Sequence, residues 1–195
     1  ALAPAEAPEA TDTPPAAPVP TGTFRALSDL GNAERLADAC RDKLRWVDGL
    51  EWLVWDGQRW KRDTSYEVQR LAVAAIRGIV REINSHPAGA DRTAKHALKS
   101  ESANGIANAL KLLRGLPGVA HPVSDFDRDP WLLNCENGTI DLRTGTLRAH
   151  DPADLITKLA PVAWDPSADA PEFDAFLTRV QPDAGTRAYL QRFIG

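Results

Sequence analysis

This chain of 195 residues contains no methionine, only two cysteines, two tyrosines and five phenylalanines. The missing Met, at position 1 included, makes a processed or excised piece of a longer protein the expectation. No apolar run approaches the roughly 20 residues that span a bilayer. No basic-then-apolar leader opens the chain, so no membrane partner is expected. Cys40 and Cys135 stand far apart, and His86, His96, His121 and His150 are scattered, which excludes a zinc-ligand spacing. Buried free thiols in a reducing compartment are expected instead. There is also no G-x-x-x-x-G-K-[ST] loop. The nearest imitation, Gly105 to Lys111, lacks the second glycine and the hydroxyl, so ATP hydrolysis is not expected. No Ser/His/Asp or Cys/His set stands out. Asp125, Asp127 and Asp129 alternate, but Pro130 follows and the Gly and late Glu of a calcium loop are missing. They read as an acidic surface loop, and only a cluster of buried acids in the fold would revive an enzyme reading. No catalytic residue and no metal ligand is assigned.

What is present is a 43% apolar composition with six tryptophans, enough for a core. The net charge of −4 is unevenly spread. Residues 1–23 hold three acids and no base, and residues 24–63 hold eight of each. Residues 64–115 hold eight bases against four acids, whereas residues 116–195 hold seven against twelve. A basic helical block therefore sits inside an acidic chain.

Residues 1–23, rich in Ala and Pro, predict a disordered, semi-extended linker. A helix is expected over 32–44, with Asn32 as N-cap and Leu36, Cys40 and Leu44 facing inward. Trp52–Trp55 and Arg59–Arg62 form a hairpin turning at Asp56-Gly57. Its alternation places Trp52 and Val54 on one face and Leu53 and Trp55 on the other. The clearest helix runs over 65–83, with Val68, Leu71, Ala72, Ala75, Ile76, Ile79 and Ile83 on one side and Arg70, Arg77 and Arg81 on another. Helices at 91–100 and 102–114 follow; the first carries Arg92, Lys95 and Lys99 as a stripe, the second Lys111 and Arg114. Two turn signals, Asn137-Gly138 as a type I′ turn and Thr144-Gly145, divide a β-meander over 131–149. Two helical segments, 172–180 and 184–194, close the chain. The pattern is α+β: a central helical cluster flanked by hairpins, then C-terminal helices. The main domain is expected over 24–165, with 166–195 as a helical connector.

Five blocks carry a resemblance. They are Gly31-Asn32-Ala33-Glu34-Arg35, the hairpin from Trp52 to Trp60, the run from Leu133 to Leu142, the segment from His150 to Lys158, and Tyr189-Leu190-Gln191-Arg192. In this order they resemble the helicase-adjacent domain of phage and plasmid primase-helicases, the one shared with the N-terminal part of the poxvirus primase-helicase and lying upstream of a superfamily 3 motor. The resemblance implies a bacterial cytoplasmic setting, a parent that uses ATP and Mg, and self-association as a hexamer in that parent. It implies no cofactor for this piece, whose role would be to couple primase to motor ring and guide single-stranded or forked DNA. Arg92, Lys95, Lys99, Lys111 and Arg114 are the candidate DNA contacts, with Arg70, Arg77 and Arg81 extending the path and Trp52, Trp55 and Trp60 as candidate stacking surfaces. Solvated helix faces and core tryptophans are the plain alternatives. A purely structural oligomerisation module, pairing the basic faces with a neighbour's acidic 116–195 segment, stays open.

Overall fold

The computed structural model describes residues 25–85 and 87–194; the linker expected over 1–23 lies outside the described residues. Helix α1 (Asp29–Cys40) leads into β1 (Leu44–Val47), β2 (Glu51–Trp55) and β3 (Trp60–Arg62). Helix α2 (Glu67–Gly78) tightens into one 3-10 turn, Ile79–Arg81, before the short α3 (Glu82–Ser85). Then come α4 (Ala90–Ser100), α5 (Ala103–Leu113), β4 (Ala120–His121), β5 (Leu132–Cys135), β6 (Gly138–Asp141) and β7 (Thr146–Arg148). Helices α6 (Pro171–Val180) and α7 (Ala184–Ile194) follow. The fold is α+β.

The first sheet has the order β3-β2-β1-β4 and the second β5-β6-β7. Every pairing is antiparallel except β1 with β4, where Trp46 and Val47 lie beside Ala120 and His121. The two sides of the first sheet bury different things. On one side Leu44 and Val54 join Ala33, Leu36 and Cys40 of α1, Val68 and Ala72 of α2, and Leu113 of α5, with Trp46 and Trp52 packed at the edge. On the other, Val47, Leu53 and Trp60 meet Phe126, with Trp55 and Leu155 beside them. The alternation read from the hairpin is thus the one observed.

Three expectations change. Ser28, not Asn32, caps α1, its Oγ accepting from the Gly31 N–H at 3.1 Å. Leu44, placed on the helix by its spacing, instead opens β1. The first meander turn is Glu136-Asn137, because Cys135 pairs with Gly138. Neither turn residue takes a positive φ, so the turn is not type I′. Gly138 is needed for another reason: a Cβ there would lie 2.4 Å from the Arg148 carbonyl oxygen of β7.

Candidate nucleic-acid interface

Helix α4 is amphipathic by a simple rule. Thr93, Ala97 and Ser100 are buried at helical spacing, which turns Arg92, Lys95 and Lys99 to solvent. Among the described residues, none of these three makes an ion pair, and neither do Lys111 and Arg114 on α5. Lys99 sits beside the α4–α5 turn, while Lys111 lies roughly 13 Å further along α5 at 1.5 Å per residue. The Arg114 guanidinium is drawn over the Trp46 ring, 4.1 Å from its centroid, a cation–π contact with the edge of the first sheet. The structure therefore presents one three-residue stripe on α4 and a separate basic end on α5.

A buried polar network that the sequence reading did not find sets the orientation of α4. Asn32 of α1 donates from Nδ2 to the Ser100 hydroxyl at 2.9 Å, and its Oδ1 lies 2.9 Å from His96 Nε2. An amide oxygen only accepts, so His96 Nε2 carries the proton in that contact. Burial lowers the basicity of His96, and the positive Arg35 nearby adds to the effect. Arg35 is itself buried and grips Glu82 with Nε and Nη2 at 2.5 and 2.8 Å. It also donates to the carbonyls of Ala26 and Arg25 at 2.8 and 2.7 Å. Gly31 admits that N-terminal strand of chain, since a Cβ would stand 1.9 Å from the Ala26 oxygen. The block from Gly31 to Arg35 is a joint that fixes α1, α3 and α4 to one another. Above it, Leu27, Asp29, His96, Lys99, Asn104 and Asn108 line a polar cleft of about 340 Å³.

The block from Leu133 to Leu142 is equally structural. Buried Asn134 donates to the Gln58 and Lys158 carbonyls at 2.9 and 3.0 Å. Its Oδ1 receives the Thr139 hydroxyl at 3.0 Å and meets His150 Nδ1 at 2.8 Å. Asn137 pairs with the Trp164 backbone through both amide atoms, at 2.8 and 2.9 Å. Asp151 caps the turn Pro152–Asp154, accepting from the Ala153 N–H at 2.8 Å. The alternating acids part company: Asp125 meets His121 Nδ1 at 3.0 Å, Asp127 takes the Thr157 N–H and hydroxyl at 2.8 and 2.5 Å, and Asp129 holds Arg143. Among the described residues no Asp or Glu is buried, and no three His, Cys, Asp or Glu converge as metal ligands.

Of the tryptophans considered as stacking surfaces, Trp60 belongs to the core, and Trp52 and Trp55 are half-buried against it. Trp60 is fully buried, its Nε1 donating to the Pro152 carbonyl at 2.8 Å. Trp52 packs edge-on against Trp46 with centroids 5.1 Å apart, and Trp55 leans on Trp60 at 5.7 Å. Both cysteines are free and buried. No helix among the described residues is long and apolar enough to cross a membrane.

A search of curated proteins finds no match to this chain. A family model described as D5 N terminal like matches residues 33–182, from within α1 through both sheets and the central helices to the end of α6. That match covers well over half of the chain, so the chain belongs to the family of N-terminal domains of D5-like primase-helicases.

Proposed function

We propose that this domain is a non-catalytic collar of a phage, prophage or plasmid replicative primase-helicase, coupling primase to a hexameric superfamily 3 motor and guiding single-stranded DNA toward it. In that parent, ATP and Mg serve the motor, in the cytoplasm of a bacterial host. The observation that carries the DNA part is the α4 stripe: Arg92, Lys95 and Lys99 are exposed and, among the described residues, free of ion pairs. Cations left without carboxylate partners on a rigid helix are suited to phosphates, and each phosphate neutralised releases counterions. Lys111 and Arg114 supply a second basic end on the next helix.

Fluorescence anisotropy of a labelled single strand of about 30 nucleotides, titrated with the whole chain across a salt series, tests the reading. Binding is expected to weaken steeply with salt and to fall on joint Lys95→Glu and Lys99→Glu substitution. Absence of binding at low salt would move the domain to the second reading, a scaffold that self-associates without DNA contact. One observation favours that reading: Phe173, Phe176, Tyr189 and Phe193 stand exposed on α6 and α7, alongside the acids Glu172 and Asp174. Light scattering of the chain over a concentration range distinguishes a self-associating scaffold from a monomer.

A further inference from the structure

A second surface lies on the outer face of α2. Tyr66 precedes the helix in the left-handed region, φ 59° and ψ 30°. That conformation is unfavourable for an aromatic residue by roughly 1 kcal/mol or more, yet the side chain is 75% exposed and returns no burial. The residue is held there from the other side. Asp63 accepts from the N–H groups of Ser65, Glu67 and Val68 at 3.0, 3.0 and 2.9 Å, so it, not Tyr66, satisfies the free donors at the helix start. Tyr66 is left as a rigidly based ring pointing at solvent.

Beside it, Gln69, Arg70, Val73, Ala74, Arg77 and Arg81 complete the lining of a groove of about 640 Å³. The floor is small and apolar, one end is aromatic, and three guanidinium groups run along the wall. Arg70 is paired with Glu67 within the helix, and Arg77 approaches Glu101 at 3.9 Å. Arg81 has no ion pair among the described residues. Arg77 and Arg81 lie four residues apart across the 3-10 turn Ile79–Arg81, roughly 7 Å along the axis, a step that two neighbouring phosphates of an extended strand can follow. An exposed ring offers a face to a base only when that base is unpaired.

We propose that this groove is a base-stacking subsite for single-stranded nucleic acid, in which a base lies on Tyr66 and the flanking phosphates lie on Arg77 and Arg81. The proposal rests on the DNA-guiding reading for its class of ligand, but on none of the α4 or α5 residues. It assigns strand selectivity to α2: single strands use the Tyr66 face, and duplexes, whose bases are stacked within the helix, do not.

The test uses the whole chain with a single-stranded oligonucleotide carrying 5-iodouracil, and a duplex of the same sequence. Photocrosslinking followed by peptide mapping is expected to place the adduct on Tyr66. Tyr66→Ala should weaken single-strand binding by about tenfold or more, the loss of one stacked base, with duplex binding unchanged. Tyr66→Phe should retain the wild-type affinity. Tyr66→Asn, which accepts the left-handed backbone more readily, should lose as much as Tyr66→Ala, which keeps the result independent of a folding defect. Arg81→Ala should reduce the salt slope by about one phosphate. Adducts only elsewhere, or unchanged single-strand binding by both Tyr66→Ala and Tyr66→Asn while Lys95→Glu with Lys99→Glu abolishes it, would overturn the subsite and leave the α4 reading standing. No single-strand binding by the wild type would overturn both. Binding of a polyglutamate peptide that depends on Tyr66, with no such dependence for the oligonucleotide, would make the groove a peptide site instead.

Discussion

The acidic meander and the basic helices use charge in opposite ways. In the meander and its flanks, acids are engaged at short range: Asp127 with Thr157, Asp129 with Arg143, Asp141 with the Arg143 N–H, Asp151 with the Ala153 N–H, and Asp154 with Arg148. These carboxylates close turns and hold strands together. On α4 the cations Arg92, Lys95 and Lys99 have no such partners among the described residues, while the helix is fixed from beneath by Asn32, His96 and Ser100. The meander consumes its charges in folding; the α4 stripe leaves its cations facing solvent. Substitutions should therefore alter stability in the first and binding in the second.

The largest effect is expected at Asn134. Replacing it with Ala strands the Gln58 and Lys158 carbonyls and removes the acceptor for Thr139 and His150. A buried group left unpaired costs about 1–3 kcal/mol, and with Thr139 buried and the other three partners only partly so, a total loss of about 3 kcal/mol is expected. Urea unfolding measures it directly; a loss below about 1 kcal/mol would mean that other groups replace the network.

Asp127→Ala should follow, at about 2 kcal/mol, because two donors on Thr157 lose a charged acceptor. Asp127 also holds φ 52°, a conformation Asn tolerates, so Asp127→Asn should cost less than the Ala variant. Equal losses in thermal melts of the two would assign the effect to the carboxylate's charge, since Asn keeps an acceptor oxygen that Ala lacks.

Asp63 extends the meander's use of acids to the start of α2. Burial pushes its carboxyl up, but the N–H groups of Val68, Glu67 and Ser65 outweigh that and hold it below its ordinary 3.8. A depressed folded value gives stability that is present above the unfolded value and lost as pH falls through the folded one. Asp63→Asn should accordingly lose about 1 kcal/mol at neutral pH, and the difference from wild type should close as pH drops below 3.8. A gap that does not narrow at all as pH is lowered would mean that the charge is not what caps the helix.

Local periodicity made much of this fold legible. Val68, Ala72, Ile76 and Ile79 are buried at the spacing that the sequence showed, and the hairpin's two faces were assigned correctly from alternation. What escaped was non-local. The parallel pairing of Trp46 and Val47 with Ala120 and His121 joins segments that carry no shared local signal. Without that partner, Leu44 read as the end of a helix. Asn137-Gly138 signals a turn locally, but nothing local signals the approach of β7 that requires a glycine at 138. At the candidate site, the α4 stripe was visible because surface charge at helical spacing is a local property. Asn32, His96 and Ser100 were not, because their meeting depends on how α1 packs on α4. Tyr66 gave no signal either, since its left-handed backbone follows from the capping by Asp63 rather than from its own side chain.

The smallest stability change is expected where the binding change is greatest. Lys95 and Lys99 are exposed, make no ion pair among the described residues, and lie opposite the buried Thr93, Ala97 and Ser100. Their replacement by Glu removes no folded-state contact and leaves helix propensity nearly unchanged. The last turn of α4 would gain a negative charge at its dipole's negative end, a cost of a few tenths of a kcal/mol. Unfolding free energy should therefore stay within about 0.5 kcal/mol of wild type, while the salt slope of single-strand binding falls by about two phosphates. A double variant that unfolds easily would place these lysines with the meander's aspartates, as parts of the fold, and would remove the contrast on which the α4 interface rests.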